Sequence, residues 1–236
     1  MQLESIIDDL DKHFQNVKYI KEIKSGKEAS VHLIEADKKE YALKIYKENQ
    51  KYSTKTTYMM NVEIGDHRTA RAIRNKTDRG KDSLVALWTE REFKIMRMLS
   101  QMSSNIPKVY LHGKDYILME FIGKDGIPAL RLDEIAFSRA EAEKCFEEVM
   151  ECVALFVENG FVHGDLSEYN ILWYRGHAVV IDFPQVLNIS MNPNAYSKFL
   201  ADLENIENYF RRYHIVNLGS RLDELKGKFH IKRIYG

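Results

Sequence analysis

Apolar positions recur along this chain with two periods, and the alternation between them marks out the elements. Leu3, Ile6, Ile7, Leu10 and Phe14 fall at helical spacing, so residues 3–16 are predicted to form a short amphipathic helix that packs on the next elements of the chain. Strand patterns come next, at 19–23, 31–34 and 41–46, with Ala36-Asp37-Lys38-Lys39 as a turn. Alternation in the third strand sets Tyr41, Leu43 and Ile45 on one face and Ala42, Lys44 and Tyr46 on the other. Residues 47–83 hold no steady period. There Arg68, Arg71, Arg74, Lys76, Arg79 and Lys81 outnumber Asp66, Asp78 and Asp82, and the segment reads as a flexible basic loop. A helical pattern returns over 84–99, followed by a hairpin of 109–111 and 116–120 and a hinge-like stretch over 121–126.

The second half is mostly helical in pattern. Ser138 with Glu141 forms a capping box. Ala142, Cys145, Phe146, Val149, Cys152, Val153 and Phe156 then make a buried stripe that ends at Asn159-Gly160. Two more helices are expected, near 195–213 and near 222–226.

Composition narrows the class. A chain of 236 residues suits one domain of two lobes or two small domains. Its 35 basic and 35 acidic residues cancel, so no global field points to nucleic acid. Cys145 and Cys152 lie seven residues apart on one helix face and read as small core residues in a reducing compartment. No apolar run is long enough to span a membrane, and the polar, acidic start is unlike a secretory signal, so a cytoplasmic location is expected.

The candidate chemistry lies in Phe161-Val162-His163-Gly164-Asp165-Leu166-Ser167-Glu168-Tyr169-Asn170-Ile171-Leu172. Asp165 is followed five residues later by Asn170, and the apolar run Ala178-Val179-Val180-Ile181 ends in Asp182-Phe183. Kinase catalytic loops have this spacing. Phosphoryl transfer needs Mg²⁺ on hard oxygen ligands, which Asn170 and Asp182 offer, and a carboxylate such as Asp165 to orient or deprotonate the nucleophile. The plainer alternative is a set of polar residues capping strands and turns. Ser25-Gly26-Lys27 sits between two strands, where a kinase covers the ATP phosphates, yet with one glycine it equally fits a small-residue hairpin. Lys44 resembles the strand lysine of V-A-I-K, against the alternative of a solvated side chain. Its carboxylate partner is expected on the 84–99 helix. Glu92, flanked by Trp88 and Met96 at helical spacing, is chosen over Glu90, which has Lys94 as a surface partner.

Together these residues resemble the RIO family of atypical protein kinases, over nearly the whole chain. The resemblance rests on Ser25-Gly26-Lys27-Glu28-Ala29, Tyr41-Ala42-Leu43-Lys44-Ile45-Tyr46, Met119-Glu120-Phe121-Ile122-Gly123, the Asp165 stretch and Ile181-Asp182-Phe183-Pro184-Gln185. It also rests on an omission: no A-P-E segment follows Asp182, and the tail is too short for a peptide platform. The sequence looks most like the Rio-one branch, although Phe183-Pro184-Gln185 is closer to the other main branch.

The resemblance implies an α+β, truncated two-lobed kinase-like fold, with an antiparallel sheet and a helix in the N-lobe and a small, mainly helical C-lobe. Residues 1–18 would pack on the kinase domain, 19–122 would form the N-lobe with its loop 47–83, and 123–236 the C-lobe. ATP would bind between the lobes. Ser25, Gly26, Lys27 and Lys44 would lie near the phosphates, Glu92 would hold Lys44, and Glu120 and Ile122 would offer backbone contacts to adenine. Mg²⁺, or Mn²⁺ in its place, would sit on Asn170 and Asp182. The implied activities are serine autophosphorylation and ATP hydrolysis during maturation of the small ribosomal subunit, with Asp182 itself able to accept the phosphoryl group. Implied partners are pre-small-subunit particles and ribosomal RNA, and the expected state is a monomer without membrane attachment. Two rivals are a small-molecule kinase of the aminoglycoside or choline type, and an assembly factor switched by nucleotide without catalysis.

Overall fold

Five antiparallel strands carry the first part of the chain, in the order β1-β2-β3-β5-β4. They are β1 Lys18–Ser25, β2 Ala29–Ala36, β3 Lys39–Tyr46, β4 Val109–His112 and β5 Tyr116–Glu120. The structure, a computed structural model, describes residues 2–47, 67–75 and 77–235. The central strand β3 runs unbroken against β2, from Ala36↔Lys39 to Ala29↔Tyr46, and pairs on its other side with β5. Its two faces part as the alternation predicts. Tyr41, Leu43 and Ile45 join Ile34, Tyr116 and Leu118 under helix α1 (Gln2–Leu10), which contributes Ile6 and Leu10. Tyr46 joins Ile117, Val85 and Phe93 on the opposite face. The first helix stops at Leu10 instead of running to residue 16. The chain turns there with Asn16 at φ +54°, while Phe14 still packs beside Tyr41.

The expected loop over 47–83 needs correction where it is described. Residues 48–66 and 76 lie outside the described residues, but His67–Arg74 forms helix α2. Helix α3 then spans Asp78–Ser100, starting six residues before the predicted position. Thr77 explains the early start, because its hydroxyl accepts the Gly80 N–H at 3.1 Å and so caps the first turn. Gly80 has a second role: a β-carbon there would sit 2.2 Å from the Ala72 carbonyl oxygen, so only glycine permits this close approach. The polar run concealed α2 and the start of α3, because among the described residues there the only buried apolar side chain, Ile73, lies among arginines.

The chain divides into two compact units. The first holds the sheet, α1, α2 and most of α3 and continues to Pro128, beyond the expected limit at Ile122. The added piece is the hairpin β6–β7 (Gly123–Lys124 and Ile127–Pro128). It follows Phe121, which is buried with Leu33 and Ala42.

The second unit comprises residues 99–106 and 129–235. Helix α4 (Arg139–Glu158) opens with the predicted capping box at Ser138 and Glu141. It buries the predicted stripe, extended by Met150 and Val157. Cys145 and Cys152 are both buried and free, and burial pushes the Cys152 thiol up to about 12. Short strands lie against this helix: β10 (Ile171–Tyr174) between β8 (Leu130–Arg131) and β11 (His177–Val180), and β9 (Phe161–Val162) paired with β12 (Leu187–Asn188). Helix α5 (Ala195–Phe210) is followed by a 3₁₀ turn to Tyr213. Helix α6 (Leu218–Tyr235) is much longer than the 222–226 expected and docks on α5 through Phe229 stacked on Phe199 at 4.8 Å. Among the described residues no helix is long and apolar enough to cross a membrane.

Candidate active site

In the first unit the predicted residues centre on a buried charge. Strand pleating turns Lys44 to the same face as Tyr46, and Lys44 is only 6% exposed. An ammonium in such a place needs a partner. Glu92, 2% exposed on α3, supplies it, with Lys44 Nζ donating to Oε1 at 2.8 Å. Of the two candidate carboxylates, Glu92 is the one in contact with Lys44, while Glu90 pairs with Lys94 at the surface. Tyr46, to which the sequence alone gave no role, donates its hydroxyl to Glu92 Oε2. Its ring also lies 5.3 Å from the Lys44 ammonium. A signal for this contact exists in the sequence: Tyr46 lies two residues from Lys44 on one strand face, and a buried tyrosine hydroxyl seeks an acceptor.

Ser25, Gly26 and Lys27 lie exposed between β1 and β2. The Gly26 N–H donates to the Ala29 carbonyl at 2.9 Å. The ammonium of Lys47, another residue without a role in the sequence pattern, donates to Ser25 Oγ at 2.9 Å and to the Gly26 carbonyl at 2.7 Å. Glu120 ends β5, with its backbone N–H donating to the Lys108 carbonyl at 2.8 Å, and Ile122 follows, half-buried, before β6.

In the second unit two loops are bound together by backbone. Gly164, at φ +83°, turns the chain after β9. A β-carbon at this position would lie 2.5 Å from the Gln185 carbonyl oxygen, so glycine is required twice over. On either side of Asp165, the N–H groups of Gly164 and Leu166 donate to the two oxygens of Asp202, at 2.7 and 2.8 Å. The Asp165 side chain is thereby turned outward. Asn170 donates its amide N–H to the Asp165 carbonyl at 2.8 Å, which leaves its own side-chain oxygen as an acceptor. The Ile181 N–H donates to the Asn170 carbonyl at 2.9 Å, and Asp182 follows at φ +70°. Beneath both loops the His163 ring packs on Phe156 and Phe183 at 5.7 and 5.4 Å.

Electrostatics join Asp165 to Asp182. Desolvation by the loop, and next the charge of Asp182, push the Asp165 carboxyl above its usual range, against Lys198 and the Asn170 bond. Asp202 is 3% exposed, and burial raises it to about 7 against its two backbone bonds. Nothing marked Asp202 as functional in sequence order. Its signal is a carboxylate within the apolar stripe Phe199, Leu203 and Ile206 of α5.

Two like-charged carboxylates beside an amide oxygen form a set that a hard cation would relieve. Among the described residues no three His, Cys, Asp or Glu side chains gather to enclose a metal by themselves. A partial oxygen set of this kind fits Mg²⁺, which keeps several sites for water and phosphate. The predicted residues thus come together as Lys44 with Glu92 in the first unit, and Asp165 with Asn170 and Asp182 in the second.

A family model described as the RIO domain matches residues 30–222. The RIO-type serine/threonine-protein kinase Rio1 of Methanocaldococcus jannaschii is 35% identical over 199 residues, which is 84% of this chain and 64% of that protein. Rio1 of Haloferax volcanii is 30% identical over 191 residues, 80% of this chain and 62% of that protein. The chain therefore spans just under two thirds of the length of these relatives. In fold it is similar to the Rio2 kinase of Chaetomium thermophilum, solved as an ADP/Mg²⁺-phosphoaspartate complex. That similarity has a TM-score of 0.64 at 19% identity and covers 98% of this chain and 73% of that one.

Proposed function

The chain belongs to the RIO domain family, and from that premise we propose that it is an ATP-dependent, atypical serine/threonine protein kinase. The observation that carries the reading is the arrangement in the second unit, where Asp165 is aimed outward by Asp202 and stands in the field of Asp182 beside Asn170. In this reading Lys44, kept in place by Glu92 and Tyr46, binds nucleotide phosphate. Asp165 takes the proton of the attacking hydroxyl. Its raised carboxyl range suits that task, since a base works best when its pKa approaches the operating pH. Asn170 and Asp182 hold Mg²⁺, with Mn²⁺ as a substitute; when bound, the ion offsets charge developing on the transferred group. Glu120 and Ile122 offer backbone groups to the base of the nucleotide, and Ser25, Gly26 and Lys27 its phosphate cover.

The same site supports ATP hydrolysis through the protein's own carboxylate. Asp182 attacks the terminal phosphoryl group, ADP leaves, and water then cleaves the acyl phosphate to restore the carboxylate. The phosphoaspartate named for the Rio2 complex is the support for this step. The proposal extends to serine autophosphorylation, a cytoplasmic location and a role on small-ribosomal-subunit precursors, for which membership in the RIO domain family is the support. The exposed Arg68, Arg71 and Arg74 of α2 favour a phosphate-rich partner of that kind.

The test is incubation with γ-labelled ATP and Mg²⁺, with and without a chelator. Label should enter the protein in a metal-dependent way, part of it labile to hydroxylamine. Absence of both ATP binding and label would refute the reading.

A further inference from the structure

Lys47 has no part in the roles assigned above, yet it is the residue that ties the Ser25–Ala29 loop together. It follows β3 directly and is half-buried. Its backbone N–H donates to the Glu28 carbonyl at 3.0 Å, and its ammonium reaches Ser25 Oγ and the Gly26 carbonyl. Both ends of the loop, on either side of Lys27, are thus held by one residue.

The direction of these bonds matters. An ammonium has three N–H groups and can only donate. Donating to Ser25 Oγ, it occupies a lone pair of the hydroxyl, so the hydroxyl's own proton must point to some other acceptor. Both partners of the ammonium are neutral groups, so its charge is not cancelled by them. With the Gly26 N–H already engaged by Ala29, the side-chain donors left on the loop, beside the exposed Glu28 carboxylate, are one hydroxyl proton, one further N–H of Lys47, and the exposed ammonium of Lys27. All three are donors, and two carry positive charge. A ligand that meets them with anionic oxygens, as the phosphates of a nucleoside triphosphate do, is the chemical match.

We propose that Lys47 is a positioning residue of a phosphate-binding loop: it keeps the loop closed, aims the Ser25 hydroxyl at a phosphate oxygen, and adds a positive charge beside it. The inference rests on the kinase reading above, and its test separates the two. Binding of ATP, ADP and adenosine in the presence of Mg²⁺ is measured by calorimetry for the wild type, Lys47→Met, Lys47→Arg, Ser25→Ala and the Lys47→Met/Ser25→Ala pair, with urea midpoints to check folding. The expected result is an about tenfold loss of ATP affinity in Lys47→Met, with adenosine unchanged and most of the loss restored in Lys47→Arg; a charge-assisted contact has this order of effect. Adding Lys47→Met to Ser25→Ala should cost clearly less than it costs alone. Unchanged ATP affinity in Lys47→Met, an equal loss for adenosine, or fully additive losses in the pair would each overturn the role while leaving the kinase reading in place. A wild type that binds adenosine no more weakly than ATP would overturn both.

Discussion

Lys44 and Glu92 are buried, opposite in sign and in contact, whereas Asp165 and Asp182 are exposed and alike in sign. The first pair is part of the packing of its unit. It stands on a central strand and a long helix, and a tyrosine hydroxyl completes it. The second pair stands on loops whose backbone is held from beneath, and Gln185 donates to the Asp165 carboxylate at 3.5 Å. Asp202 grips the N–H groups around Asp165, Asn170 ties its carbonyl, and His163 with Phe183 supports both loops from below. The contrast teaches where each charge finds its compensation. The amine is already neutralised inside the protein, so it is pre-organised and costly to disturb. The carboxylates are exposed and the charge of Asp182 acts against that of Asp165, so they can change identity at little cost to the fold.

That contrast can be broken by substitution, and the largest effect belongs to Asp182→Asn. Turnover and the hydroxylamine-labile label should both vanish, while the unfolding free energy from urea denaturation stays within about 0.5 kcal/mol of wild type, as for an exposed site. Asn is as tolerant as Asp of φ +70°, so the backbone has no reason to move. Asp165→Ala should slow transfer by about 10²–10⁴-fold, the range for loss of a general base, again with the fold unchanged. In the first unit the order reverses. Lys44→Ala takes the cation away from a carboxylate that stays buried, and denaturant unfolding should show a loss of about 3–5 kcal/mol along with the loss of activity. Tyr46→Phe removes one hydrogen bond to a charged group and should cost about 1.5–3 kcal/mol. A Lys44→Ala protein as stable as wild type would erase the distinction between the two clusters.

The smallest effect is a dependence on pH. Asp202 titrates near 7 when folded, above the ordinary carboxylate value, so the folded chain binds this proton more tightly than the unfolded one. Its stabilising contribution is therefore complete below the unfolded pKa and is lost as pH rises through about 7. Comparison of wild type with Asp202→Asn in urea at pH 5 and pH 8 should show the wild type losing ground at the higher pH. Activity should run the other way, because only the ionised carboxylate accepts both loop N–H groups at full strength.

Much of this was legible in the chain itself, for local reasons. The alternation of β3 placed Lys44, the box at Ser138 and Glu141 placed α4, and the spacing from Asp165 to Asn170 to Asp182 placed the loops. Helix–sheet packing also favoured Glu92, because a carboxylate between Trp88 and Met96 on the helix face is carried into the interior with them. Contacts that join distant parts of the chain with no motif to pair them were not legible. Asp202 meets Gly164 across 38 residues, and in sequence it is one acid in a helix. Tyr46 had only a strand face shared with Lys44, and Lys47 only a place at the start of the irregular segment 47–83. The early start of α3 was hidden because Thr77 and Gly80 act through a cap and a close approach that hydrophobic periodicity does not register.

Gly164 has a consequence for how this chain can vary. The missing side chain at that residue sets the distance between the strand-end turn and the segment that ends in Gln185. Even a methyl group there would wedge the two apart, shifting the loops of Asp165 and Asp182 in a single event. The two carboxylates are therefore not separate targets for drift: position 164 makes them one heritable unit, to be kept or lost together.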